Sequence, residues 1–278
     1  MLITELKLQA EKSRRRLIQI IYNARAGHTG GDLSILNVMT ALYFHILNVD
    51  KDNLDNPDRD RFILSKGHCV EALFVILEAK GILKKEVLDT LGQFNSPLAG
   101  HPTREVPGIE MCSGALGHGL SIGVGMAIAA KMDNRPYRTF VVMGDGEQGE
   151  GSIYEAAMAA AHYKLGNLVA VIDRNRLQIS GNTEDVMALD CLVEKWESFG
   201  WDVIDVNGDD MEDIVAKLES IDYTSDEPHM VIANTTKGKG VSFMENVAKW
   251  HHGVPSPEQY EQALAEIDER IKMMENER

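Results

Sequence analysis

Three cysteines in 278 residues, Cys69, Cys112 and Cys191, are too few and too far apart for a disulfide framework or a paired zinc or redox spacing. They read as buried or semi-buried free thiols in a reducing compartment. Basic residues are also scarce: 28 Lys and Arg stand against 43 Asp and Glu, a formal charge of −15. A chain this acidic has no general positive field for a phosphate backbone, which argues against nucleic acid as a partner. No apolar run approaches the length of a membrane span. Charges are scattered through the opening "MLITELKLQAEKSRRRLIQIIYNA", so no signal-peptide core stands there. No G-x-G-x-x-G turn follows the first strand and no Walker lysine pattern occurs, which disfavours a plain nucleotide-binding module. The expectation is a cytoplasmic globular protein that contacts neither membrane nor nucleic acid. Any anionic ligand must then be held by a local device: a metal, a helix N-terminus or a few placed side chains.

What is present is an alternation of helices and short apolar runs. Leu2 to Asn23 has helical periodicity, "GHTGGDLS" interrupts it, and "SILNVMTALYFHIL" resumes with Ser34 as the N-cap. "RFILSKGH" reads as a strand entering a turn, and "CVEALFVILEAKG" as a helix ending at Gly81. Residues 83–107 read as irregular. "SGALGHGLSIGVGMAIAAKM" is a glycine-rich turn feeding a helix of small residues, suited to close packing on a sheet. Strands follow at "FVVMGDG", "LVAVIDRN", "WDVIDVNG" and "HMVIANTTKGKG". Ser256, Pro257 and Gln259 open a terminal helix, 256–278, with a capping box. Runs that are apolar throughout and separated by helices imply an α/β fold with a parallel sheet covered on both faces. The 278 residues read as one domain.

Two runs, Phe140–Met143 and Leu168–Ile172, carry the chemistry. The first ends in Gly144-Asp145-Gly146, the second in Asp173-Arg174-Asn175. In open parallel sheets ligands sit beyond the carboxyl ends of strands, so Asp145 and Asn175 can converge. A carboxylate with an amide oxygen suits Mg²⁺ or another divalent cation such as Ca²⁺ or Mn²⁺, with positions left for phosphate oxygens. A helix N-terminus contributes roughly 0.3–1 kcal/mol to an anion, against about 4 kcal/mol for a charge pair at ~4 Å near a protein surface. The cation is therefore expected to dominate.

This pairing resembles the thiamine diphosphate motif, GDG followed by a helix, a strand and Asn. The resemblance implies a thiamine diphosphate-binding fold of the diphosphate (PP) type. Asp145, Asn175 and the carbonyl of Leu177 are then the metal ligands, and Gly144, Gly146 and Glu147 lie at the cofactor. Five of the nine histidines adjoin glycine, in "GHTGG" (His28), "SKGH" (His68), "AGHP" (His101), "LGHG" (His118) and "WHHGVP" (His252). In this order, and with "KLGNLVAVIDRNRLQISG", they resemble transketolase from Gly27 to about Pro255. "SGALGHGLSIGVGMA" is similar to that family's TTGPLGQG-type turn, which places Gly114 and Leu116 beside the cofactor.

The resemblance implies transfer of a two-carbon ketol unit from a ketose phosphate, such as xylulose 5-phosphate, to an aldose phosphate, ribose 5-phosphate or erythrose 4-phosphate. It assigns His28 and His252 to the reacting oxygens, His101 to the donor hydroxyls, and His68 and His252 to the diphosphate. Glu150 would communicate between sites across a dimer. His118 replaces the family's usual glutamine, and Asp32 stands where a small residue is common. The pyrimidine-binding domain that completes such a site has no counterpart before Arg278. The resemblance therefore implies the N-terminal subunit of a split, two-gene enzyme, active only with a C-terminal subunit in an α2β2 heterotetramer. Alternatives are a split enzyme acting on a branched (apulose-type) or sulfonated ketose, and a non-catalytic scaffold or regulatory relic. The histidine set argues against deoxyxylulose-phosphate-synthase-like and pyruvate-dehydrogenase-like halves.

Overall fold

A computed structural model describes residues 1–276. The amphipathic opening segment forms α1 (Ile3–Ala24), followed by α2 (Thr29–Ala41), β1 (Arg61–Leu64), α3 (Val70–Ala79), α4 (Lys85–Leu88) and α5 (His118–Met132). The central run gives β2 (Thr139–Gly144), α6 (Gly151–His162) and β3 (Leu168–Arg174). A small ribbon, β4 (Leu177–Gln178) with β5 (Gly181–Asn182), leads to α7 (Thr183–Val186) and α8 (Leu192–Ser198). The chain continues through β6 (Asp202–Asn207), α9 (Met211–Glu219), β7 (His229–Asn234) and α10 (Pro257–Asn276). The expected terminal helix is thus present to Asn276, and its last two residues lie outside the described ones. Among the described residues no helix is long and apolar enough to cross a membrane.

Five strands form one parallel sheet in the order β1-β2-β3-β7-β6. Alternating side chains divide the apolar residues between two cores. Phe62, Phe140, Val142, Val169, Val171 and Val231 face α1, α2, α3, α9 and α10. Ile63, Val141, Met143, Ala170, Ile172 and Met230 face α5, α6 and α8. Each fully buried Leu, Ile or Val stabilises by about 1.5–3 kcal/mol. The small residues of α5 allow close approach: a Cβ on Gly123 would lie 2.5 Å from Val141 Cγ2, and one on Gly119 2.4 Å from Ser65 Cβ.

Four expectations need correction. Ser34 does not cap a helix; α2 begins five residues earlier, with His28 at the N-cap position. Gly30 and Gly31 continue the helix because it passes too close to its neighbours for side chains: their Cβ atoms would lie 2.8 Å from Trp250 O and 2.7 Å from Cys69 Sγ. Packing outweighs the ~1 kcal/mol helix cost of each glycine. Residues 83–107 are not wholly irregular, since α4 makes one turn there. Cys69 is buried, but Cys112 and Cys191 are exposed because both sit in loops. The sheet is covered on both faces except at its edge, where the residues of β6 are largely half-buried.

Candidate active site

The carboxyl ends of β1, β2, β3 and β7 open into one cavity of about 320 Å³. Aligned parallel registers bring this about: Gly144 sits opposite Asp173, and Arg174 opposite Asn234. Each strand therefore stops at the same level and releases a polar turn there. β1 supplies Lys66 and His68, β2 supplies Gly144 to Glu147, β3 leads to Asn175 and Leu177, and β7 leads to Lys237. His28 enters from the start of α2, and His101, Gly114 and Leu116 enter from the long loop before α5.

Asp145 and Asn175, thirty residues apart, meet as expected. Asp145 is buried; its Oδ1 accepts Gly146 N–H at 2.7 Å and its Oδ2 accepts Arg176 N–H at 2.7 Å and Thr183 Oγ1 at 3.2 Å. Arg174 adds an ion pair to Oδ2 at 3.3 Å. Burial nevertheless lifts the Asp145 carboxyl above the usual carboxylate range, and nearby Asp173 adds to the effect. Asn175 donates its Nδ2 to Asp173 Oδ2 at 3.0 Å, which orients the carboxamide, and its Oδ1 accepts Leu177 N–H at 3.2 Å. Arg176 takes a left-handed conformation (φ 66°), turning the chain between Asn175 and Leu177. One carboxylate, one carboxamide and one carbonyl are hard oxygen donors. In this structure Arg174 pairs with the carboxylate and the Lys237 ammonium with the Leu177 carbonyl, so cations already occupy the positions a metal would take. The residues fit a small divalent cation.

Beneath the cavity lies a buried ion pair that local patterning did not reveal. Lys66 and Asp173, both almost fully buried, are joined Nζ to Oδ2. Burial opposes the charge on each, but their attraction prevails, raising the Lys66 pKa and lowering that of Asp173. Ser34 Oγ donates to the same Oδ2 at 2.6 Å, and Thr235 Oγ1 donates to Oδ1. Asp173 therefore binds α2, β1, β3 and the turn after β7 into one floor and holds Asn175 over it.

A second missed residue is Lys237, also buried. Its ammonium donates to Leu177 O at 2.7 Å and contacts His251 Nδ1 at 3.0 Å. Burial, helped by Lys66, lowers its pKa to about 8. Both lysines stand in glycine turns, "SKGH" and "TTKGKG", the pattern that marked the histidines.

Five imidazoles gather here. His28 lies with ring centroids 5.1 Å from His68, 6.4 Å from His101, 5.8 Å from His251 and 4.8 Å from His252. Burial, then the neighbouring imidazoles and lysines, holds His28 down at about 4 and His251 at about 3. His68 is likewise pushed well below its ordinary value by burial and by Lys66. These rings are neutral near pH 7. His28 Nδ1 is buried with no hydrogen-bond partner. His101 is exposed at the mouth, its ring close to Gly114.

The pair "HH" separates by geometry. Residues 248–252 form a 3₁₀ helix, whose successive side chains diverge by about a third of a turn. His251 consequently lines the cavity and stacks on His68 at 5.3 Å, whereas His252 is exposed and reaches the cluster at the edge of His28. Glu147 lines the cavity but turns its carboxylate into the protein, where it accepts from Ser65 Oγ, Gly117 N–H (2.8 Å) and Gly144 N–H (3.1 Å). It fixes the Gly114–Gly117 turn rather than presenting a charge to a ligand. Glu150 is exposed at the start of α6, outside the cavity wall.

A family model described as "Transketolase, thiamine diphosphate binding domain" matches residues 7–267. The chain belongs to the transketolase thiamine diphosphate-binding family. It is 65% identical over its full length to an apulose-4-phosphate transketolase subunit of Phocaeicola vulgatus, covering 99% of that protein. It is 40% identical, over 95% of its own length and 96% of the other, to the 6-deoxy-6-sulfo-D-fructose transketolase subunit SqwG of Clostridium sp.. The structure of transketolase from Leishmania mexicana superimposes with a TM-score of 0.86 at 27% identity, covering 100% of this chain and 45% of that one. The chain thus spans less than half of that transketolase but nearly all of the two relatives named as subunits. The α/β fold with its parallel sheet is that of transketolase.

Proposed function

We propose that this chain is the diphosphate-binding subunit of a split transketolase-like enzyme that moves a two-carbon ketol unit between sugar phosphates. The observation that carries this reading is the convergence of Asp145 and Asn175, at the ends of adjacent strands, on a cavity ringed by histidines. Asp145, the Asn175 carboxamide and the Leu177 carbonyl would hold Mg²⁺ or a similar cation. Lys237 and His68 would face the diphosphate, with Gly114 and Leu116 along the cofactor. Thiamine diphosphate supplies the carbanion-stabilising chemistry; the protein's task is to bind, orient and move protons. A buried neutral His28 with an unpartnered Nδ1 can take up or return a sugar hydroxyl proton near pH 7. His101 at the mouth would bond the donor hydroxyls, and His252 would meet the substrate from the outer side of His28. The completing pyrimidine domain would come from a C-terminal subunit, with Glu150 at an interface between copies in a heterotetramer.

For the donor, the high identity to a relative named for apulose 4-phosphate favours a branched ketose phosphate over xylulose 5-phosphate. Mixing the chain with its C-terminal subunit, then offering apulose 4-phosphate, xylulose 5-phosphate and 6-deoxy-6-sulfofructose in parallel, tests this directly. Transfer from the branched donor to an aldose phosphate, and none by the chain alone, is expected. Equal or greater turnover of xylulose 5-phosphate returns the assignment to ordinary transketolase. His101→Ala should lower turnover by roughly 10²-fold while cofactor affinity stays nearly unchanged; loss of cofactor binding would contradict the placement of His101.

A further inference from the structure

Behind the wall that carries Lys237 lies a second cavity, of about 460 Å³, that the proposed chemistry does not use. Its walls are α1, α10, the far side of the loop that follows β7, Asn37 of α2 and the turn that enters α9. The loop has two faces. Toward the cofactor site it presents Lys237, and Gly238 N–H donates to Gly30 O at 2.9 Å. Toward the second cavity it presents main-chain carbonyls. Arg14 Nε, from α1, donates to Lys239 O at 3.0 Å, and Arg270 Nη2, from α10, donates to Gly240 O at 2.6 Å. Glu11 joins the two guanidinium groups, accepting from Arg14 on one oxygen and from Arg270 at 3.0 Å on the other.

The backbone here follows this grip. Gly238 and Gly240 both take left-handed conformations (φ 78° and 86°), and a Cβ on Gly240 would lie 2.6 Å from Arg14 Cδ. No regular secondary structure holds the loop between Asn234 and Ala248. Main-chain bonds such as Gly238 N–H to Gly30 O and Asn246 N–H to Lys237 O hold it, and side chains from neighbouring elements add to them. Asp209 accepts Thr236 N–H and Oγ1, Glu245 accepts Gly240 N–H, and the two arginines hold the carbonyls. The planar guanidinium fork suits this, because one group can donate to a carbonyl and a carboxylate at once in a fixed geometry. The second cavity is balanced in charge, with every arginine already partnered, so it is a clamp rather than an anion site.

We infer that Arg14 and Arg270 are positioning residues for Lys237, so that α1 and the C-terminal helix set cofactor affinity through the carbonyls of Lys239 and Gly240. The inference rests on the proposed function, since it requires Lys237 to face the diphosphate. Arg14 is fully buried, and its removal threatens the fold; Arg270 is partly exposed on the outer helix and is the better probe. The experiment measures the dissociation constant of thiamine diphosphate, at saturating Mg²⁺, for the full chain assembled with its C-terminal subunit. Arg270→Ala, Arg270→Lys, Lys237→Met and the double variant Arg270→Ala with Lys237→Met complete the cycle. Arg270→Ala should raise the constant roughly tenfold, and Arg270→Lys should recover part of it. In the Lys237→Met background the same alanine should change the constant by less than about twofold.

An unchanged constant for Arg270→Ala overturns the inference. So does an equal rise in both backgrounds, which would make Arg270 a general structural support. A wild-type assembly that binds no thiamine diphosphate overturns the functional reading instead, and the two failures are distinguishable in one titration series.

Discussion

Two carboxylate clusters are buried two residues apart on α2, one reached by Ser34 and the other by Asp32, and they solve the same problem in opposite ways. Asp173 lies under the cavity against Lys66, with Ser34, Thr235 and Asn175 donating to its oxygens. It is ionised, and its pKa is lowered despite total burial. Asp32 faces Glu71 instead. Asp32 Oδ1 accepts Ala72 N–H at 3.0 Å, but Asp32 Oδ2 and Glu71 Oε2 are buried without partners. Ionising both carboxylates in such a place is unfavourable, so the pair holds a proton more readily than exposed carboxylates do. Burial and mutual repulsion raise Asp32 well above its ordinary range, and burial lifts Glu71 to about 7. The difference is whether a cation was built in. The cluster with Lys66 uses charge to fix Asn175; the cluster without one stores a proton behind the site.

The largest effect should come from breaking the first cluster. Lys66→Met leaves Asp173 buried and uncompensated, with an expected loss of about 3–5 kcal/mol in a denaturant titration. Lys66→Met combined with Asp173→Asn should recover much of that loss, because the stranded charge is gone. If the single variant costs less than about 1 kcal/mol, Asp173 is not held as an anion by Lys66, and the contrast between the clusters collapses.

The second cluster predicts a smaller effect, visible only against pH. Its folded-state pKa values are raised above the unfolded ones, so the folded chain binds more protons between about 4.5 and 7. Stability from the protonated pair is therefore complete below the unfolded values and is lost as pH rises through about 7. Asp32→Asn keeps an acceptor for Ala72 N–H and offers Glu71 a permanent donor. It should flatten the decline and stabilise the protein near pH 8 by about 1–3 kcal/mol. Melting curves across roughly pH 5 to 8 for both proteins decide it; parallel curves would show that no proton is shared.

The contrast also shows what the sequence could convey. Phe140–Met143 and Leu168–Ile172 were legible as strands because a buried parallel strand needs an unbroken apolar run. Asp145 and Asn175 followed from where those runs end. Lys66 and Asp173 were not legible: they are 107 residues apart, Lys66 sits in a polar turn and Asp173 near the end of β3, and both look solvated until the sheet register brings them together. Asp32 was visible as an oddity, but its partner Glu71 lies inside an otherwise apolar helical run and draws no attention alone. Gly30 and Gly31 read as helix breakers because the contacts that require their bareness, Trp250 O and Cys69 Sγ, come from distant segments. The choice of His251 over His252 depended on a 3₁₀ turn whose phase no local pattern reveals. Local periodicity yielded the scaffold and the positions of Asp145 and Asn175 at the strand ends; what holds those two side chains is long-range.

The mildest perturbation sharpens the comparison most, because it leaves every charge in place. Ser34→Ala removes one hydroxyl donor from Asp173 Oδ2, while Lys66 and Asn175 remain bonded to that same oxygen. The expected cost is about 1 kcal/mol of stability, the net worth of one hydrogen bond. Asp173 would stay ionised, so the pH profile of stability should keep its wild-type shape and simply shift downward. Asn175 also contacts Ser34 Oγ at 3.4 Å, so its carboxamide loses one of two restraints on that side. Under the proposed function, thiamine diphosphate binding in the presence of Mg²⁺ should weaken in step, by a few-fold and no more. A loss of stability without any change in cofactor affinity would mean that the floor under Asn175 carries the fold but does not aim the ligand.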